Sequence, residues 1–249
     1  MQTKKDIEQT LILMKPDALC YSLTGFIIER ISATLNPLIT ASKVVVVSRE
    51  LAEAHYSHIK GKPFFENTIK YMMGEFHYPN QPEKRRVMAI TYQGLDVVRK
   101  VKEYVGPTKP NDCKKLAKEE GGITLRSQIS YVDYINQEEM IENAVHASGT
   151  VEEAEREIKL WFEPGDFPKQ NRLFPYLESE GYFYLLANNK DESSYQILSS
   201  YVKGSQCVVA PGSLVWKSDY NDLIAYRDNR GNNAVQPLSH IVAKYTTNG

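Results

Sequence analysis

His146 follows the apolar pair Ala144–Val145 and stands just ahead of Thr150, where a helix begins. Thr150 and Glu153 form a capping-box pattern, which satisfies backbone donors at a helix entrance. Val151, Ala154, Ile158, Trp161 and Phe162 then recur at helical spacing, with Glu157 on the flank of that stripe. A carboxylate there can reach back and orient an imidazole, as a histidine nucleophile or base requires. The competing reading is a satisfied histidine at a strand edge, the commoner case. Lys15 is the second candidate. It ends the apolar run 10–14, and Pro16 pushes it toward an extended backbone, so a charged side chain is held at a strand end.

The elements that must hold these residues follow from periodicity. Residues 10–14 read as a buried strand, and 25–35 as an amphipathic helix through Ile27, Ile28, Ile31 and Leu35. A β-branched strand over 38–47 precedes Ser48, which reads as the N-cap of a helix through Ile59, and another helix follows Pro63. Residues 76–86 are polar and proline-bearing, hence a loop; 87–92 form a strand and 94–104 a helix. Residues 106–122 read as a long loop, and 132–135 as an extra strand. The order to Phe162 matches a split βαβ pattern with an antiparallel sheet. After the linker-like 163–171 the chain turns tyrosine-rich. There YFYLLA is followed by a helix-like SSYQILSSYV, by CVVA, SLVW and DLIAYRD as short strand candidates, and by a helix over 234–245.

Bulk properties exclude more than they assign. Hydrophobic content of 42% and charged content of 24% suit a soluble globular protein, and a net charge of −1 argues against gripping nucleic acid or an anionic membrane through the overall field. Three scattered cysteines fit neither a zinc site nor a disulfide framework, so a cytoplasmic setting is expected. The N-terminus lacks the apolar core of a signal peptide, and no apolar run approaches the roughly 18 residues of a membrane span.

Four segments, in order, resemble nucleoside diphosphate kinases. They are TLILMKPDAL, HYSHIKGKPFFENTIKYM, YQGLDVVRKVKEYVGPTKPNDC and NAVHASGTVEEAEREIKLWF, within residues 8–164. The resemblance implies an α+β fold: a ferredoxin-like βαββαβ antiparallel sheet with helices on one face in a domain of residues 1–165, with 166–249 a C-terminal α/β extension. It implies ping-pong transfer of a γ-phosphoryl group from a nucleoside triphosphate to a nucleoside diphosphate through a phosphohistidine on His146. Glu157 would orient the imidazole and Ser148 would support Glu157. Lys15 and Tyr56 would sit beside the reacting phosphate and the ribose, and Phe64 would stack on the base. Lys102, Thr108 and Arg126 would hold the phosphates, and Asn143 would contact the sugar. Mg²⁺ would ride on the nucleotide phosphates, with no protein residue assigned as a metal ligand. The implied partners are nucleoside di- and triphosphates and further copies of the chain in a homo-oligomer; no membrane and no specific nucleic acid is expected.

Residue types alone give blander readings. Phe64 beside Phe65 reads as core, Lys109, Lys114, Lys115 and Lys118 as a solvated face, and His55 with His58 as structural; His77 and His240 carry no signal. The chain also departs from the family's pattern. Lys102 replaces an arginine, which loses the bidentate fork. Ala147 and Gly149 replace a glycine and an aspartate around Ser148, and alanine tolerates positive φ poorly. Extra residues fall at 76–86, in 110–126 and between Arg126 and Asn143. These departures support an alternative, a low-activity nucleotide-binding regulator, and the aromatic content after Tyr176 motivates another, a scaffold whose tyrosine-rich C-terminal region binds a partner protein.

Overall fold

Strand β1 (Ile7–Met14) ends in four fully buried residues, Leu11 to Met14, because it has neighbours on both edges and both faces. It pairs antiparallel with β3 (Val87–Leu95) on one side and with the short β6 (Val145–Ala147) on the other. Strand β2 (Leu38–Val45) pairs antiparallel with β3, so the sheet runs β2-β3-β1-β6. The structure is a computed structural model that describes residues 7–119, 123–129, 133–135, 140–187 and 195–245.

Side-chain alternation divides the sheet's two faces. Ile12, Met14, Ile90, Tyr92 and Ala147 pack against Ile27 and Ile31 of helix α2 (Thr24–Leu35) and the valines of α5 (Val97–Val105). Leu13 pairs with His146, so both project from the opposite face. There His146 meets α3 (Arg49–His55) and α7 (Val151–Trp161) through His55 and Glu157. A short α1 (Pro16–Cys20) follows β1, and its N-cap Lys15 is extended, with φ −74° and ψ 168°, as the following proline requires. Ser48 caps α3 by accepting from the Leu51 N–H at 3.2 Å, and α4 (Phe65–Met72) follows Pro63.

The expected loop over 106–122 instead contains a helix, α6 (Pro110–Glu119). Proline suits a first helical position, and Asp112 and Lys118 match the dipole at the two ends; turn-forming composition masked that pattern. The strand expected at 132–135 is β4 (Asp133–Ile135), paired with β5 (Met140–Glu142), while Val132 lies outside the described residues.

The chain divides into two compact units, residues 1–158 and 159–249. The second holds a sheet ordered β10-β8-β9, with β8 (Phe183–Ala187) central between β9 (Tyr195–Leu198) and β10 (Gln206–Val209). A separate pair joins β7 (Tyr176–Glu178) to β11 (Leu214–Trp216). Phe183, Leu185, Ile197, Val215 and Leu223 share its core with Leu238 and Ile241 of α9 (Leu238–Tyr245). Two sequence expectations fail here. The helix-like SSYQILSSYV contributes β9, where pairing with β8 and the burial of Ile197 outweigh helical spacing. DLIAYRD, expected as a strand, instead forms the last half of helix α8 (Lys217–Arg227) and its C-cap Asp228, and Asp219 and Asp222 of that helix are buried and hydrogen-bonded.

Candidate active site

A cleft of about 720 Å³ opens in the first unit, lined by His146 and Glu157 and by Lys15, Lys102 and Arg126. Tyr56, Phe64, Thr108 and Asn143 line it as well. The sequence therefore assigned nine residues that converge on one surface. Ser148 lies behind it, fully buried.

His146 is the central residue of β6, its Nε2 2.8 Å from Glu157 Oε2. Ser148 Oγ donates to the same carboxylate oxygen at 2.7 Å and accepts from the Leu11 N–H at 3.3 Å, tying the carboxylate to β1. Burial lowers the proton affinity of His146, with Glu157 opposing that shift, so the imidazole is neutral near neutral pH. Burial also works against ionisation of Glu157. Its pairing with His146, whose ring would be charged at the low pH where the carboxylate titrates, and the hydrogen bonds it accepts from His146 and Ser148 outweigh that and keep it well below the usual carboxylate range. With Nε2–H donating to Glu157, the lone pair of the neutral ring lies on Nδ1.

Thr150 Oγ1 accepts from the Glu153 N–H at 3.1 Å, as the capping pattern requires. The Glu153 carboxylate, however, reaches the N–H of Gly149, one residue before the cap, at 2.9 Å. Positive φ is found not at Ala147 but at Ala144, with φ 59°. The Val145 N–H reaches back to the Asn143 carbonyl at 2.6 Å, so Ala144 is the centre of a γ-turn. Its N–H donates to Asp17 Oδ2 at 2.8 Å and its carbonyl accepts from the Lys15 N–H at 2.8 Å, which fixes the strained residue from both sides.

The cations differ in what they can offer an anion. Lys15 is buried with its Nζ 2.7 Å from Asn143 Oδ1 and 5.2 Å from the Tyr71 ring centre. Burial, then the neighbouring Arg126 charge, brings its pKa down to about 7. Lys102 is half-buried and donates to the Ala147 carbonyl at 3.2 Å. Arg126 is 5% exposed and spends most of its fork on backbone carbonyls: Asn143 at 3.1 Å, Gly106 at 2.7 Å, Pro107 at 2.8 Å, and Val145. In this arrangement one of its five N–H groups is left for a ligand. Its main work here is to tie the turn after α5 to the stretch 143–145. Asn143 completes the bracing, its Nδ2 donating to the Thr108 carbonyl at 3.2 Å.

The aromatic pair separates as its position on α4 dictates. Phe65 packs inward at 8% exposure, while Phe64 stands on the cleft wall at 37%. The reading of Phe64 as core is thereby replaced. Tyr56 ends α3, and burial raises the pKa of its phenol, so it is neutral.

Three contributors were missed by residue type. His55 is fully buried, its ring edge-on to that of His146 at 4.5 Å, and its Nδ1 is 4.0 Å from Glu157 Oε1. Burial, the largest cause, keeps it neutral. Arg156 donates to the other Glu157 oxygen at 3.4 Å, and Asp17 anchors the γ-turn. Their signal was proximity in sequence to Tyr56, Glu157 and Lys15, which periodicity does not weigh. Donor atoms of His55, His146 and Glu157 lie within 4.8 Å of one another, but His146 and Glu157 spend theirs on each other.

Comparison with known proteins bears on the same residues. The sequence profile of the family "Nucleoside diphosphate kinase" matches residues 8–167. The chain is 35% identical over 181 residues to the Thermococcus kodakarensis nucleoside diphosphate kinase, covering 72% of this chain and 87% of that one. It is 34% identical over 157 residues to nucleoside diphosphate kinase A of Canis lupus familiaris, covering 63% and 87%. Among solved structures, the Aquifex aeolicus enzyme superposes with a TM-score of 0.52 at 26% identity, covering 66% of this chain and all of that one. The Borrelia burgdorferi enzyme, determined as a transition-state mimic with vanadate and ADP bound, gives 0.53 at 25%, covering 66% and 91%. A profile running through the whole cleft wall, and relatives sharing a third of their residues over most of their length, place the chain in the nucleoside diphosphate kinase family.

Proposed function

We propose that this phosphotransferase runs its nucleoside diphosphate kinase reaction in two half-reactions, through a phosphohistidine at Nδ1 of His146. The observation that carries the assignment is the Nε2–Glu157 hydrogen bond, because it leaves Nδ1 as the nucleophilic nitrogen. In the first half-reaction the bond from Nδ1 to the γ-phosphorus forms as the bond to the β-phosphate oxygen breaks, and the diphosphate leaves with that electron pair. The Nε2 proton stays on the ring, and the Glu157 carboxylate offsets the positive charge growing there. A second nucleoside diphosphate then takes the phosphoryl group by the reverse step.

The remaining roles follow from chemistry and position. Lys15 and Lys102 meet the phosphate charge, with Arg126 adding its field and one N–H; Thr108 closes that end of the cleft. Phe64 offers a π-face to any base, while Tyr56 and Asn143 suit the ribose. Mg²⁺ fits as a passenger on the nucleotide phosphates, since the cleft's phosphate end is lined by cations and the Glu157 carboxylate is engaged by His146 and Ser148. When bound, it would neutralise phosphate charge. Residues 1–165 form the catalytic domain in this reading and 166–249 an extension. The enzyme acts as a homo-oligomer in the cytoplasm, a setting supported by three free cysteines; among the described residues no helix is long and apolar enough to cross a membrane.

Incubation with Mg²⁺ and γ-labelled ATP tests the mechanism. Acid-labile, base-stable label should appear on the protein, vanish in His146→Ala and discharge onto added GDP. Label that survives His146→Ala, or none on the intact protein, would remove the assignment.

A further inference from the structure

His77 carried no signal in the sequence, and it lies in a segment that the family pattern lacks. Its Nε2 is hydrogen-bonded to the Glu142 carboxylate, with side-chain exposures of 6% and 11%. Glu142 ends the extra segment that lies between Arg126 and Asn143 and directly precedes Asn143. The His77 ring also packs against Tyr71, with centres 5.6 Å apart, and the Tyr71 ring lies under the Lys15 ammonium. The contacts close a circuit: His77 to Glu142, along the backbone to Asn143, from Asn143 Oδ1 to Lys15 Nζ, and from Lys15 over Tyr71 back to His77.

From this circuit we infer that the His77–Glu142 pair positions the Lys15 ammonium for the reacting phosphate by clamping the two extra segments together behind it. The inference rests on the phosphotransfer reading above. Lys15 takes its direction from Asn143 and its floor from Tyr71, and neither partner is held by the sheet alone. Asn143 directly follows β5, outside the four-stranded sheet, and Tyr71 lies in the last turn of α4, where the chain leaves for His77. Without the pair, the β5 end and the 74–86 segment have one tie fewer. His77 and Glu142 do not line the cleft, so they are positioning residues.

The test compares the full-length wild type with His77→Ala, His77→Gln and the double variant His77→Ala/Glu142→Ala. Gln places an N–H near the Nε2 position, and the double variant leaves no unpaired buried carboxylate, so both should fold. Thermal melts establish folding, and single-turnover phosphohistidine formation across ATP concentrations gives rate and apparent KM separately. Acetic anhydride labelling followed by mass spectrometry reads the exposure of the Lys15 amine. His77→Ala and the double variant should lose about tenfold in maximal rate with less than about twofold change in KM, because a misplaced group acts on the transition state. His77→Gln should restore the rate, and Lys15 should label faster only in the slowed variants. The clamp is wrong if His77→Ala keeps the wild-type rate, if His77→Gln is as slow as alanine, or if Lys15 labelling is unchanged. A wild type that forms no phosphohistidine would remove the kinase mechanism instead, and Lys15 labelling would still decide the clamp.

Discussion

In the proposed mechanism His146 reacts as the neutral imidazole, and burial holds its pKa below the ordinary 6.5, so its acid limb of activity lies below that value. Lys15 must be charged to meet phosphate, and its pKa of about 7 sets an alkaline limb near neutrality in the free enzyme. The pH profile of kcat/KM should therefore be a narrow bell. That of kcat should extend further to alkaline pH, because bound phosphate charge raises the lysine. Glu157→Gln should slow phosphohistidine formation roughly a hundredfold and move the acid limb lower still, since the carboxylate raises the His146 pKa. A wild-type rate in that variant would refute the role of Glu157. Stability has the same sign. His55 and His146 both have depressed folded pKa values, so the unfolded chain binds more protons. Their contribution is complete above about 6.5 and is lost as pH falls toward the folded values.

Elements were legible where one period dominated. The alternation and continuous apolar runs of β1, β2 and β3, the stripes of α2 and α7, and the Ser48 cap all declared themselves. Helix α6 and strand β9 did not, because composition in the first and spacing in the second favoured the wrong answer, and only pairing or end effects decided. The site was legible only partly. Lys15 and His146 stood out by position, but Phe64 and Arg126 needed the family resemblance, and the His77–Glu142 contact joins residues 65 apart. Gly106 shows an element's end serving the site. It terminates α5 at φ 88°, a Cβ there would lie 2.7 Å from Thr124 Cβ, and its carbonyl accepts from Arg126. Gly106→Ala should destabilise the protein by about 1–3 kcal/mol and weaken nucleotide affinity as Arg126 shifts. A melt unchanged within error would show that the loop relaxes freely.

At the scale of the whole molecule, the edge of the four-stranded sheet offers a surface that the reaction does not use. Strand β2 is an edge of the sheet and exposes Leu38 at 55%, Ile39 at 44% and Val44 at 58%, with Val46 at 67% just beyond it. Unpaired backbone beside such side chains invites a strand from another copy, which supports the proposed homo-oligomer. Association of this kind binds stability to quantity. If the folded chain binds itself and the unfolded chain does not, mass action makes the melting temperature rise with protein concentration. Melts over a hundredfold dilution series should show that slope for the wild type, and Val44→Lys should flatten it while the far-ultraviolet spectrum stays the same. A flat wild-type series would assign the exposed edge to a monomer. With the slope, the enzyme's resistance to heat becomes a property of how much of it a cell makes, set through residues far from His146 in the fold.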